Sequence, residues 1–218
     1  MPSERLEIPC GDIKLEGLID FPHDRSGPCP AVVVCHPHPL MGGDMFNDVV
    51  GTVCKALLAR GIAALRFNFR GAGGSGGEHA GGYGEREDVW AALDHLRGRA
   101  DIDRTRLGLA GYSFGAAVVL NAGIAAGVKA LAAVSVPPRL VDFTALQGYE
   151  IPVLLIAGDR DQYAPSQSIQ QLAIATGPLT TCTIVPGADH FWYGRASDLA
   201  EAVSDFFAGC LVVQSAER

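Results

Sequence analysis

The chain has 218 residues, is 48% hydrophobic and 19% charged, and carries a formal net charge of -7, so it can bury a substantial core and reads as one globular domain over residues 1–218. The acidic balance and the scattering of its Lys and Arg argue against nucleic acid as a partner. The polar N-terminus Met1-Pro2-Ser3-Glu4-Arg5 leads into no apolar stretch and no run approaches the roughly 18 apolar residues of a membrane span, so the expectation is a cytoplasmic protein with no membrane partner.

From Leu6 to Phe21 the pattern alternates around Cys10-Gly11-Asp12, which predicts an antiparallel hairpin. After the Pro/Gly-rich loop Pro22 to Pro30, the runs Ala31 to Cys35, Ile62 to Phe69, Arg106 to Ala110, Ala130 to Ser135, Val153 to Ala157 and Thr181 to Val185 are short, apolar and mostly β-branched or small. They read as strands buried on both faces. Helical patterns lie between them: Val49, Val50, Val53 and Leu57; Val89, Trp90, Leu93 and Leu96; Phe114 to Ala126; Ser166 to Ala175; and Leu199, Val203, Phe206 and Phe207. Strands alternating with amphipathic helices predict an α/β fold, a mostly parallel sheet with helices on both faces.

The stretch Gly71 to Gly84 is glycine-rich, and Gly71-Ala72-Gly73-Gly74-Ser75-Gly76 formally satisfies G-x-G-x-x-G after a strand. A dinucleotide site needs a helix starting inside the glycines and an acid at the tip of the next strand. Here more glycine and Tyr83 intervene, and Asp88 and Asp94 fall inside the predicted helix, so the stretch reads as a tight surface loop. The cysteines at 10, 29, 35, 54, 182 and 210 lie far apart with no C-x-x-C spacing, which predicts reduced structural thiols, with Cys35 a buried strand residue.

Gly111-Tyr112-Ser113-Phe114-Gly115 follows the apolar run Leu107 to Ala110 and precedes the helix-prone Ala116 to Ile124. It has the G-x-S-x-G form of a nucleophile elbow, in which a strained turn holds a serine hydroxyl out toward a substrate carbonyl. A serine nucleophile needs a general base, and the base needs an acid to fix its tautomer. In the hydrolase order serine, acid, histidine, only His190 of the six histidines follows Ser113. It lies directly after the last predicted strand. The strand Val153 to Ala157 runs into Gly158-Asp159-Arg160-Asp161, and Asp161 is assigned as the acid, with Asp159 a turn residue supporting it. Asp189 reads as solvated or loop-binding. The backbone N–H of Phe114 supplies one oxyanion donor. The second comes from His36-Pro37-His38-Pro39-Leu40, where the prolines have no N–H, leaving His38 or Leu40. His36 and His38 also resemble a metal hook, but no third ligand stands at a recognisable spacing, and neither metal nor cofactor is expected.

The loop Cys35-His36-Pro37-His38-Pro39-Leu40-Met41-Gly42-Gly43, the block Arg66-Phe67-Asn68-Phe69-Arg70-Gly71-Ala72-Gly73-Gly74-Ser75-Gly76 and the ending Gly187-Ala188-Asp189-His190-Phe191 resemble the small, lidless, carboxylesterase-like bacterial α/β-hydrolases related to dienelactone hydrolase. The resemblance implies an α/β-hydrolase fold, a serine nucleophile at Ser113 and esterase-type activity on small acyl substrates. Dienelactone hydrolase itself has cysteine at the elbow, so serine here favours general ester chemistry. The connection Val136 to Pro152 is too short for a cap domain, and an open site lined by Leu40, Met41, Phe114, Pro137, Pro138, Tyr163, Phe191 and Trp192 suits a short ester or thioester. The triad would also serve a thioesterase or carbon-carbon hydrolase, and a silent hydrolase-fold binding protein is the reading from another class.

Overall fold

The computed structural model describes residues 3–146 and 148–212; residues 1, 2, 147 and 213–218, and with them Met1 and Pro2 of the polar N-terminus, lie outside the described residues. In chain order the strands are β1 (Ser3–Cys10), β2 (Ile13–Asp20), β3 (Cys29–Cys35), β4 (Ala63–Phe67), β5 (Ile102–Tyr112), β6 (Ala130–Val134), β7 (Val153–Gly158) and β8 (Thr180–Val185). The helices are α1 (Asp48–Ala59), α2 (Tyr83–Arg97), α3 (Phe114–Ala126), α4 (Ser166–Thr176) and α5 (Ala196–Leu211).

The strands form one eight-stranded sheet in the order β1-β2-β4-β3-β5-β6-β7-β8. The predicted hairpin is there: β1 pairs antiparallel with β2, and β2 antiparallel with β4. From β4 to β8 every pairing is parallel. Side chains alternate across a strand, so an apolar strand in the middle of such a sheet feeds two cores at once. In β3, Ala31, Val33 and Cys35 join the core with α2, α3 and α4, while Val32 and Val34 join the core with α1 and α5. Phe207 of α5 is fully buried, and truncating such a ring to alanine costs about 3–5 kcal/mol.

One expectation needs correction. Thr180–Val185 is a strand but is not buried on both faces, since most of its residues are only half-buried. It is the outer strand of the sheet, with β7 its one strand neighbour.

Because β3 to β8 run parallel, the loops after their carboxyl ends gather along one edge of the sheet, where α/β proteins build ligand sites. The His36–Gly43 loop follows β3, the glycine-rich stretch follows β4, Ser113 follows β5, Ser135 follows β6, Asp161 follows β7 and His190 follows β8. Between β6 and β7 the described residues of 136–152 form two short 3-10 turns, Pro138–Leu140 and Phe143–Leu146, and no helix that could cap the site. No helix among the described residues is long and apolar enough to cross a membrane.

Candidate active site

Ser113 sits between β5 and α3 with φ 54° and ψ -115°, a conformation a residue with a side chain adopts at a cost. The flanking glycines explain how the chain reaches it. A Cβ on Gly111 would lie 2.3 Å from the Gly115 carbonyl oxygen, and one on Gly115 would lie 2.5 Å from the His36 carbonyl oxygen. Either contact would push strand, helix and β3 loop apart. The Ser113 N–H donates to Val134 O at 2.9 Å, tying the elbow to β6.

The structure brings Ser113, His190 and Asp161 into one line. Ser113 Oγ lies 3.0 Å from His190 Nε2, and His190 Nδ1 lies 2.9 Å from both carboxylate oxygens of Asp161. All three residues are buried. A carboxylate accepts only, so Nδ1 carries the proton toward Asp161 and Nε2 is free to accept from the serine. Asp161 Oδ1 also accepts the N–H groups of Tyr163 and Ala164, each at 2.9 Å. Burial pushes the Asp161 pKa up, but hydrogen bonds from His190, Ser135 and the Ala164 amide, with the attraction of His190, hold it below the usual carboxylate value. Asp159 faces elsewhere and accepts the Gly187 N–H at 2.7 Å, which fastens the β7 loop to the β8 loop. Asp189 accepts the N–H groups of Phe191 and Tyr193 at 3.1 and 3.3 Å, so it is loop-binding.

The amides of Phe114 and His38 have no acceptor among the described residues. Leu40, the other candidate donor, has its N–H turned to His38 Nδ1 at 3.3 Å. His36 is wholly buried; its Nδ1 lies 2.6 Å from Pro37 O and its Nε2 accepts the Phe69 N–H at 3.0 Å. With both ring nitrogens engaged by protein, His36 is a pin between the β3 and β4 loops and has no lone pair left for a metal. Burial drops its pKa to about 4, so it is neutral at pH 7.

A cavity of about 200 Å³ opens on Ser113 and His190, lined among others by His38, Met41, Phe114, Pro137, Tyr163 and Phe191. Leu40 and Pro138 are not in its wall. The expectation for Trp192 is also corrected. Its ring is 1% exposed, packs in the core beneath α5 and donates from Nε1 to Ser135 Oγ at 3.0 Å. The chain folds back at Trp192 (φ 59°), which sends Phe191 to the cavity and the indole inward.

The Arg66–Gly76 block proves to be structural. Asn68 accepts the Met45 N–H and donates to Glu16, while Arg70 binds the fully buried Asp88 of α2 through Nε and Nη2 at 2.9 and 2.8 Å. The glycine-rich stretch closes over Glu85, also fully buried, which accepts the N–H groups of Ala80 and Gly82. Two residues near the site were not singled out from sequence. Tyr112 donates its hydroxyl to His190 O at 2.8 Å, and Ser135, at the end of β6, accepts the Trp192 Nε1–H at 3.0 Å. A serine ending a strand before Val136-Pro137-Pro138 carries no recognisable signal of its own.

The pattern of the X-Pro dipeptidyl-peptidase (S15) family matches residues 11–145, a span that includes the elbow and stops short of Asp161 and His190. An α/β serine hydrolase homologue from Coxiella burnetii is 33% identical and superposes with a TM-score of 0.85 over 93% of this chain and 96% of that one. A Xanthomonas campestris α/β serine hydrolase without a lid is 31% identical, with a TM-score of 0.84 over 98% of this chain and 96% of that one. Dienelactone hydrolase from Anabaena variabilis, at 21% identity, shares the fold with a TM-score of 0.83 over 96% of this chain and 98% of its own. With a family pattern across more than half its length and hydrolases 33% and 31% identical along nearly all of it, the chain belongs to the lidless α/β serine hydrolases.

Proposed function

We propose that the protein hydrolyses small carboxylic esters through an acyl-enzyme on Ser113. The observation that carries this reading is the unbroken line from Ser113 Oγ through His190 to Asp161, opening on a small cavity. In the first half-reaction Ser113 Oγ attacks the ester carbonyl as His190 Nε2 takes its proton, and Asp161 steadies the imidazolium. The N–H groups of Phe114 and His38 receive the oxyanion. The intermediate collapses, the C–O bond to the alcohol breaks, and His190 returns its proton to the departing alkoxide. Water then attacks the acyl-serine with His190 again as base, releasing the acid and restoring Ser113.

The apolar lining from Met41, Phe114, Pro137 and Phe191 favours a short acyl or alcohol group as ligand. Replacing Ser113 tests the reading. Ser113→Ala should fold normally and lose turnover by about 10⁶, as where other triad serines are removed, and a fluorophosphonate should label the wild type at Ser113 alone. Undiminished turnover in the alanine variant, or labelling at another residue, would sink it.

A further inference from the structure

We propose that His79 is a positioning residue for the oxyanion site, a ring from the glycine-rich stretch that holds the two donor residues, Phe114 and His38, at their working separation. This rests on the acyl-enzyme reading above, in which those two amides receive the oxyanion.

The donors come from different elements. Phe114 starts α3, and His38 lies on the loop after β3, so neither segment by itself sets the gap between their N–H groups. Their side chains meet instead. The His38 and Phe114 ring centroids are 4.8 Å apart, and His79 touches both rings, at 4.8 Å from His38 and 5.3 Å from Phe114. All three separations fall in the range of favourable aromatic contact, roughly 4.5–7 Å. Three packed rings fix the spacing of the corners they form, and two of these corners are the donor residues. His79 is not in the wall of the catalytic cavity, so it acts on the substrate only through the other two.

His79 is itself held. Its Nδ1 lies 2.7 Å from Oε1 of the fully buried Glu85, an ion-pair contact without an aligned hydrogen bond. A carboxylate taken out of water is costly unless its oxygens are matched, and here Oε1 accepts the Ala80 N–H at 2.8 Å and Oε2 the Gly82 N–H at 2.7 Å. The backbone beside His79 thus fixes the carboxylate that the imidazole rests on. Gly71 lets this segment come close, since its φ is 75° and a Cβ there would lie 2.9 Å from the His79 nitrogen of the main chain.

The opposite corner is fixed as well. His38 Nδ1 accepts the Leu40 N–H at 3.3 Å, which occupies that amide and leaves the N–H of His38 as the donor. Burial lowers the His38 pKa and the neighbouring His79 lowers it further, so Nδ1 keeps its lone pair for this bond.

Three variants test the brace on a short ester, together with the inhibition constant of a boronic acid, whose tetrahedral adduct with Ser113 places an oxygen where the oxyanion forms. His79→Ala should lower kcat by about 10- to 100-fold, below the loss of a whole oxyanion donor and on the scale of a slightly misplaced group. KM should stay within about twofold, and boronate affinity should fall about 10-fold or more with kcat. His79→Gln keeps a polar partner for Glu85 but has no ring, so it should be as impaired as the alanine variant, and it carries the test if that variant does not fold. His79→Phe restores the ring and should stay within about threefold of wild type in kcat and boronate affinity. Wild-type kcat and boronate affinity in His79→Ala or His79→Gln would overturn the brace, as would a loss carried by KM, or a phenylalanine variant no better than alanine. If wild type itself turns over no ester and Ser113 takes no fluorophosphonate, the hydrolase reading fails; an active wild type with unaffected variants refutes the brace alone.

Discussion

Asp159 and Asp161 stand on the same loop, two positions apart, and are bound to different things. Asp161 is 4% exposed and accepts from His190, Tyr163 and Ala164; Asp159 accepts the Gly187 amide. Asp161→Asn should therefore fold and lose about 10⁴ in turnover, because the amide stabilises the wrong imidazole tautomer. Asp159→Asn should keep most activity and lose about 1 kcal/mol in urea unfolding, from one weakened loop hydrogen bond. Reversed phenotypes would exchange the two assignments. These aspartates could be told apart from sequence because a turn residue directly after glycine and one further out have different local work. Ser135 and Trp192 could not, since their contacts depend on β6 lying beside β7 and on the chain reversing at Trp192. An aromatic residue next to His190 reads equally well as cavity wall or core.

Among elements, the joint between the loops after β3 and β4 rests on His36, a buried base that must stay neutral. Its pKa is about 4 in the fold against about 6.5 in an unfolded chain. Between those values the unfolded state binds the additional proton, so the contribution is complete above pH 6.5 and lost progressively as pH falls to 4. The loss attributable to His36 is about 3 kcal/mol. Urea unfolding followed from pH 7 to pH 4 should show this decline, and His36→Gln, less stable at pH 7, should show a flatter one. An unchanged slope in the variant would assign the acid sensitivity to other groups. The strands followed from their apolar runs, but β8 shows the limit of such reading. Thr181 to Val185 resembles the buried runs in composition, and its exposure comes from its place at the end of the sheet order.

At the scale of the whole molecule, the site stays open because β6 returns to β7 through short turns, with no helical cap over the site among the described residues. A cavity of about 200 Å³ can bury only a few methylenes, and those beyond it should gain much less than the roughly 0.8 kcal/mol of full burial. The ratio kcat/KM should peak at acyl chains of about two to six carbons, with no jump in activity at a lipid-water interface; a steady rise through long-chain esters would reveal an acyl channel deeper than this cavity. By itself the sequence determined the alternation of strands and helices, the hairpin at the start, the sharp turn at Ser113, the chain order of Ser113, Asp161 and His190, and the shortness of the β6 to β7 connection. Each of these is local: periodicity, turn chemistry, or position along the chain. Only the tertiary structure decided that His36 is a pin, that the Arg66–Gly76 block braces the scaffold, that β8 is an edge, and that Trp192 reaches Ser135 rather than the cavity. Those depend on which strand ends meet and which side of a buried sheet a ring enters, relations between residues far apart in sequence that no local pattern encodes.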